Sequence, residues 1–253
     1  KVNPEEPNSW KIHTIGPQTD FMKDIVIADF NKDKKPDVVV RQHTETLIFI
    51  QNAPDNWSLM KKFKHENHEG MDVGDIDSDG DPDIVLNGFW YETPEDPAKE
   101  VFKKHIIDKK WFTPIDHSWR DNNCSVKVAD INGDGRDDIL FSHSELTGYP
   151  ISIYTAENVK DTKQGKWREI QVAEAFDYCQ TLDAGDIDGD GDLDILAAKF
   201  ERKKEPRAEW NNYPPFPIVI YFNVDGKGLK WQEQKLSEAG IYAGVLGDVG
   251  GDG

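Results

Sequence analysis

Hydrophobic and polar positions alternate along this chain in short runs that recur in a fixed order. Val38–Val40, Ile84–Leu86, Ile139–Phe141 and Ile195–Ala197 are aliphatic or β-branched, and each follows an Asp-rich stretch preceded by an alternating run such as Ile25–Ala28 or Val126–Ala129. This reads as two strands joined by a loop. A third apolar run follows at Leu47–Ile50, Ile151–Tyr154 and Ile218–Phe222. A fourth, mostly opened by Trp, covers Trp10–Ile15, Trp57–Phe63, Val101–Ile107, Trp167–Val172 and Trp231–Leu236. The unit is therefore four strands.

The Asp-rich stretch sets the phase of the repeat. It reads DFNKDKKPD from Asp29, DIDSDGDPD from Asp75, DINGDGRDD from Asp130, DIDGDGDLD from Asp186 and, incompletely, DVGGDG from Asp248. First Asp residues lie 46, 55, 56 and 62 positions apart, which suits a four-stranded propeller blade with variable loops. A helical EF-hand would need a Glu at position 12, where this chain has Val40, Leu86, Phe141 and Ala197, and flanking amphipathic helices, of which there is no sign.

Alternate oxygen side chains in a tight loop can converge on one hard cation. Positions 1, 3, 5 and 9 are the candidate metal ligands: Asp29, Asn31, Asp33 and Asp37; Asp75, Asp77, Asp79 and Asp83; Asp130, Asn132, Asp134 and Asp138; Asp186, Asp188, Asp190 and Asp194. The same residues also serve as turn caps in proteins without metal. Four such sets would crowd like charges unless a cation intervened, so calcium is the expected cofactor. Gly80, Gly135 and Gly191 fill position 6, where a left-handed turn is easiest without a Cβ. Lys34 replaces the glycine in the first copy, which makes that site the weakest of the four complete ones, and Gly250 removes a ligand from the last.

With these loops in blades of this length, nearly the whole chain resembles the FG-GAP or VCBS repeats of calcium-binding β-propellers, including integrin α-subunit heads and secreted bacterial proteins. The resemblance implies an all-β fold, a ring of seven blades in most members, one structural calcium per complete loop, and a ligand face elsewhere. It fixes no activity. At least four complete blades lie within 1–253 as one domain, opening on a lone fourth-type strand at Trp10 and closing on a first-type strand at 245–247, so a fragment of a longer ring is expected.

The net charge is −18, and four divalent cations would bring it to about −10, so part of the acid belongs to the loops. The remaining excess argues against nucleic acid as a partner. No apolar run is long enough to span a membrane, and the N-terminal residues do not form a signal peptide. Cytosolic free calcium is too low for modest-affinity loops, which points to a secreted, periplasmic or cell-surface protein. Cys124 and Cys179 precede adjacent Asp loops and can be either two buried thiols or a bonded pair near the axis.

Consecutive antiparallel strands alternate direction, so the connections not carrying Asp loops share the opposite face, where function is expected. Ligand-binding candidates there are Trp90, Tyr91, Trp119, His143, Arg202 and Trp210; His68, His117, Arg120 and Tyr178 are the candidate catalytic groups. Ring faces and planar polar groups suit sugars. The segment 199–209 carries five basic and three acidic residues, compatible with an anionic glycan. Two readings follow: a module binding carbohydrate or an extracellular protein, or a polysaccharide lyase in which His or Tyr removes a proton and Arg neutralises a uronate. Hydrolysis by paired carboxylates among Glu69, Asp116, Glu145 and Asp177 is a weaker third. His13, His105 and the recurring Trp10, Trp57, Trp167 and Trp231 read as strand packing.

Overall fold

A computed structural model describes residues 12–17, 21–66, 69–113, 123–200 and 216–248. The described strands form four antiparallel sheets of four, each in sequence order. Blade 1 contains β1 (Asp24–Ala28), β2 (Asp37–Arg41), β3 (Glu45–Ala53) and β4 (Asn56–Lys64); blade 2 contains β5 (Met71–Gly74), β6 (Asp83–Leu86), β7 (Phe89–Glu92) and β8 (Lys103–Ile106). Blade 3 contains β9 (Cys124–Ala129), β10 (Asp138–His143), β11 (Ile151–Thr155) and β12 (Arg168–Ala173); blade 4 contains β13 (Cys179–Gly185), β14 (Asp194–Lys199), β15 (Ile218–Asn223) and β16 (Trp231–Ser237). This is the all-β arrangement of propeller blades that the alternation of the sequence requires.

The core lies between blades. Phe30, Val39 and Ile48 of blade 1 pack on Met71, Ile84 and Phe89 of blade 2. Ile76, Val85 and Trp90 pack on Val128, Ile139 and Phe141. Ile131, Leu140 and Ile153 pack on Leu182, Ile195 and Val219. The second residue of the first three Asp loops supplies one plug to each of these layers: Phe30, Ile76 and Ile131 are all buried.

The innermost strands β1, β5, β9 and β13 neighbour one another in turn. At every joint except that between β9 and β13, a carboxylate reaches forward to a backbone N–H of the next unit. Asp24 accepts from Gly70 at 3.0 Å, Asp72 from Val128 at 2.9 Å, and Asp183 from Leu246 at 2.8 Å. Lys127 of β9 stands between, its Nζ 3.0 Å from Asp183 and 3.8 Å from Asp72.

Position 9 of every Asp loop ties the loop to its blade. Asp37, Asp83, Asp138 and Asp194 are buried, and one carboxylate oxygen of each accepts the N–H of position 2, at 3.0–3.1 Å. In three of them the other oxygen accepts from the third strand or just beyond: Gln51, Thr93 and Asn223 donate at 2.9–3.0 Å. Asp138 instead takes the Asn132 side chain at 3.2 Å.

Two expected strands differ. Trp10 and Lys11 lie outside the described residues, and 12–15 form no ladder; Thr14–Pro17 line an apolar hollow with Ile25, Val40 and Phe49 instead. Val245–Gly247 also forms no ladder among the described residues, its Leu246 held by Asp183. Two elements were missed: a 3-10 turn over Lys109–Trp111 and helix α1 (Val159–Gln164), inserted between β11 and β12, capped by the Asn158 side chain accepting from Lys160 and closed by Gly165 at φ +67°. No helix among the described residues is long and apolar enough to cross a membrane.

Candidate functional site

The Asp loops repeat one backbone. Position 6 is left-handed throughout, at +86°, +83° and +96° for Gly80, Gly135 and Gly191 and +66° for Lys34. Position 4 is left-handed too, with Lys32 and Ser78 at +57° and Gly133 and Gly189 at +70° and +79°. The first loop therefore places two lysines where a Cβ is disfavoured. The position-1 carboxylates of the first three loops collect the N–H groups of positions 5 and 6, for example Asp75 from Asp79 and Gly80 at 2.9 and 3.0 Å. Asp186 takes Gly189 and Gly191 at 2.8 and 3.0 Å.

Position 7 separates the loops into two kinds. In the first loop Lys35 pairs with Asp33 at 2.7 Å, and in the third Arg136 pairs with Asp134 at 2.6 Å, so position 5 already has a base. Position 7 is Asp81 in the second loop and Asp192 in the fourth. In these two, three carboxylates converge: Asp75, Asp77 and Asp83, and Asp186, Asp188 and Asp194, each set with oxygens all within 4.8 Å of one another. Burial, aggravated by Asp77, Asp81 and Asp79, pushes the Asp83 carboxyl up to about 9. Burial likewise holds Asp138 at about 7, with Asp134 adding to it. Asp77 is buried, with Oδ1 lacking any hydrogen-bond partner. Such groups call for a proton or a cation, and an all-oxygen donor set of this kind fits a hard divalent ion.

The opposite face holds a concave site at the axis, formed where the innermost strands begin. A cavity of about 270 Å³ is lined by Lys23, Asp24, Glu69, Ser125, Ser144, Gln180, Thr181 and Tyr242 over an apolar floor of Met71, Val126 and Leu182. The hydroxyls of Ser144 and Thr181 are buried and have no hydrogen-bond partner. Gln180 Nε2 donates to the Ser144 carbonyl at 2.7 Å and to Glu145 at 3.1 Å. Lys23 pairs with Glu69, and Asp24, raised by burial, accepts the Gly70 N–H. Behind them Arg41 is fully buried, donating to the Gly70 carbonyl and to Asn87 Oδ1 at 3.0 Å.

Several residues expected on this face are elsewhere. Trp90 is fully buried in β7, stacked on His105 with ring centroids 4.5 Å apart, and so offers no platform to a ligand. Tyr91 packs against Phe63 and Phe89, and His143 is buried against Tyr149 and Trp111. In each case strand alternation turned the side chain into a blade interface. Tyr178 stays half-buried at φ +51°, with the Lys199 ammonium 5.7 Å from its ring. His68, His117, Trp119, Arg120, Arg202 and Trp210 lie outside the described residues. Cys124 and Cys179 are buried free thiols. Ser125, Ser144, Gln180 and Thr181 were missed because single polar residues at strand ends carry no motif.

Residues 29–86 and 130–197 match the family model for the FG-GAP-like repeat. No curated protein matches the chain. Among solved structures, an Agrocybe aegerita lectin described for specific recognition of non-reducing terminal N-acetylglucosamine aligns with 84% of this chain and 51% of its own, at 16% identity and a TM-score of 0.50. The V. cholerae biofilm matrix protein Bap1 aligns with 83% of this chain and 39% of its own, at 15% identity and a TM-score of 0.38. The chain thus spans about half the length of the first and less of the second.

Proposed function

We propose that this array of FG-GAP-like repeats is a calcium-stabilised binding module that holds a neutral sugar residue in the axial pocket, on the face away from its Asp loops. One observation carries the reading: Ser125, Ser144, Gln180, Thr181 and the Lys23–Glu69 pair converge on one small polar cavity. A hydroxylated ligand supplies both donors and acceptors to such a lining, whereas an apolar one leaves its polar groups unpaired. At about 270 Å³ the cavity is below the range of roughly 300–1,000 Å³ typical of drug-sized ligands, which limits the occupant to about one ring. Lys23 is committed to Glu69, and Asp24 stands beside them, so a neutral ring is favoured over a uronate. This weighs against a lyase acting in this pocket, which needs a cation for the acid group; Arg120, the cation expected for that role, lies outside the described residues. The Agrocybe aegerita lectin gives a parallel for sugar recognition on this type of frame.

Calcium would be held by positions 1, 3 and 9 of the second and fourth loops, Asp75, Asp77 and Asp83 with Asp186, Asp188 and Asp194, joined by position 5. Bound there, it neutralises crowded carboxylates and rigidifies loops without meeting the ligand. A calcium requirement places the protein outside the cytoplasm, secreted, periplasmic or on the cell surface.

Isothermal titration against N-acetylglucosamine, galactose and glucuronate tests the site. The expected result is binding of a neutral sugar that Thr181→Val weakens at least tenfold, with glucuronate weaker throughout. Sugar binding indifferent to both Thr181→Val and Gln180→Ala would place the site elsewhere.

A further inference from the structure

Helix α1 belongs to blade 3 yet ends over the second Asp loop, which belongs to blade 2. Lys163 extends from it to place Nζ 2.5 Å from Asp77 Oδ2 and 2.6 Å from Glu92 Oε1. Its backbone carbonyl lies 3.2 Å from His105 Nδ1, and His105 Nε2 meets Glu92 at 2.7 Å. Gly165 fixes the end of the helix against blade 2, since a Cβ there would stand 3.0 Å from the Ile106 carbonyl. The lysine is thus held in place by a docked helix and two carboxylates.

Asp77 is one of the three carboxylates that converge in this loop, and its other oxygen, Oδ1, is buried without a partner. We infer that Lys163 is a tethered cation that competes with a divalent ion for the second Asp loop, so that filling this loop loosens α1 from blade 2. The inference rests on the calcium reading above. An ammonium bonded to a ligating carboxylate both occupies ligand charge and repels the incoming ion, at a distance too short for salt to screen. Among the described residues no ion pair brings a lysine or arginine to Asp186, Asp188 or Asp194 in the fourth loop, so the two loops separate in affinity although their acidic sets match.

The test is calcium titration by calorimetry of the whole chain and of Lys163→Gln, Lys163→Arg and Lys163→Gln/Asp77→Asn, with the fold of each checked by circular dichroism. Hydrogen exchange over residues 159–166 is followed in parallel. Expected are a gain of at least tenfold in the affinity of one site in Lys163→Gln, no such gain in Lys163→Arg, loss of that site with Asp77→Asn, and faster exchange of the α1 segment of the unmodified chain at saturating calcium. An unchanged or weaker site in Lys163→Gln overturns the inference; weakening would mean that the ammonium orients Asp77 for the ion. Calcium bound by neither protein overturns the calcium reading itself.

Discussion

The second and fourth Asp loops carry the same five acidic positions and opposite surroundings. Both bring three carboxylates within 4.8 Å. In the second, Asp77 and Asp81 are buried between neighbours and each meets a lysine from an adjoining blade, Lys163 from blade 3 and Lys32 from the first loop. In the fourth, Asp186 and Asp188 are exposed. The difference teaches that position 9 belongs to the blade, while the rest of the loop belongs to its environment. A shared motif therefore predicts a shared frame and not a shared affinity.

The largest effect should come from that frame and should be the same in both loops. Asp83→Ala leaves the Ile76 and Thr93 N–H groups unpaired, and Asp194→Ala does the same to Ile187 and Asn223. At about 1–3 kcal/mol per buried orphan, each variant should lose about 2–6 kcal/mol, the two agreeing to about 1 kcal/mol. Urea denaturation in chelator measures this. A small loss for Asp194→Ala beside a large one for Asp83→Ala would break the equivalence.

Calcium comes next. Saturation of one loop at a hundred times its dissociation constant adds about 2.7 kcal/mol, and chelation should lower the melting temperature by several degrees. Asp188→Ala should remove more of this response than Asp77→Ala when calcium is limiting, because the fourth loop fills without displacing a lysine. An equal response in the two variants at every calcium level would remove the distinction.

The joints between blades extend the comparison. Gly74 in blade 2 and Gly185 in blade 4 both end an innermost strand at the same repeat position. A Cβ on Gly74 would lie 2.3 Å from Val128 Cγ1 and 2.5 Å from Asp137 Oδ2, whereas one on Gly185 meets Leu246, its Cδ1 at 3.1 Å and its Cβ at 3.8 Å. Val128 is locked in a strand, and Asp137 holds the Asp75 N–H at 2.8 Å, so little can give way. Gly74→Ala should cost about 1–3 kcal/mol, and Gly185→Ala less than about 1 kcal/mol, since the end of a leucine side chain can move. Chemical denaturation of both variants decides it.

These contrasts mark how far the sequence could be read. The strands, their order and the blade phase were legible because alternation and the Asp motif are local signals. Blade interfaces were not, since a strand residue's face depends on which neighbour it meets: Trp90 and His143 looked like loop aromatics and are core. Position 7 was legible in principle, because Lys35 and Arg136 against Asp81 and Asp192 sort the loops before any coordinates. Helix α1 also had its Asn158 and Gly165 caps in view. Its reach to Asp77 was not readable, because 86 residues separate Lys163 from that loop and only the packing of blade 3 on blade 2 joins them.

The smallest effect tests the other lysine of the second loop. Lys32 Nζ stands 3.3 Å from Asp81 Oδ2, but the side chain is 57% exposed and its backbone is left-handed. Exposure lets water and salt screen the pair, so its worth is about 0–1 kcal/mol. Lys32→Gly sets relief of the strained backbone, near 1 kcal/mol, against loss of the pair. Stability should therefore change by less than about 1 kcal/mol in either direction, and the change should not depend on salt by more than the pair's own worth. Lys32→Ala keeps the strain and should be the less stable of the two. A loss well above 1 kcal/mol in both, measured by denaturation at low and high salt, would mean that Lys32 fastens the second loop as firmly as Lys163 does, leaving burial of Asp81 as the property that decides how strongly a neighbouring lysine holds it.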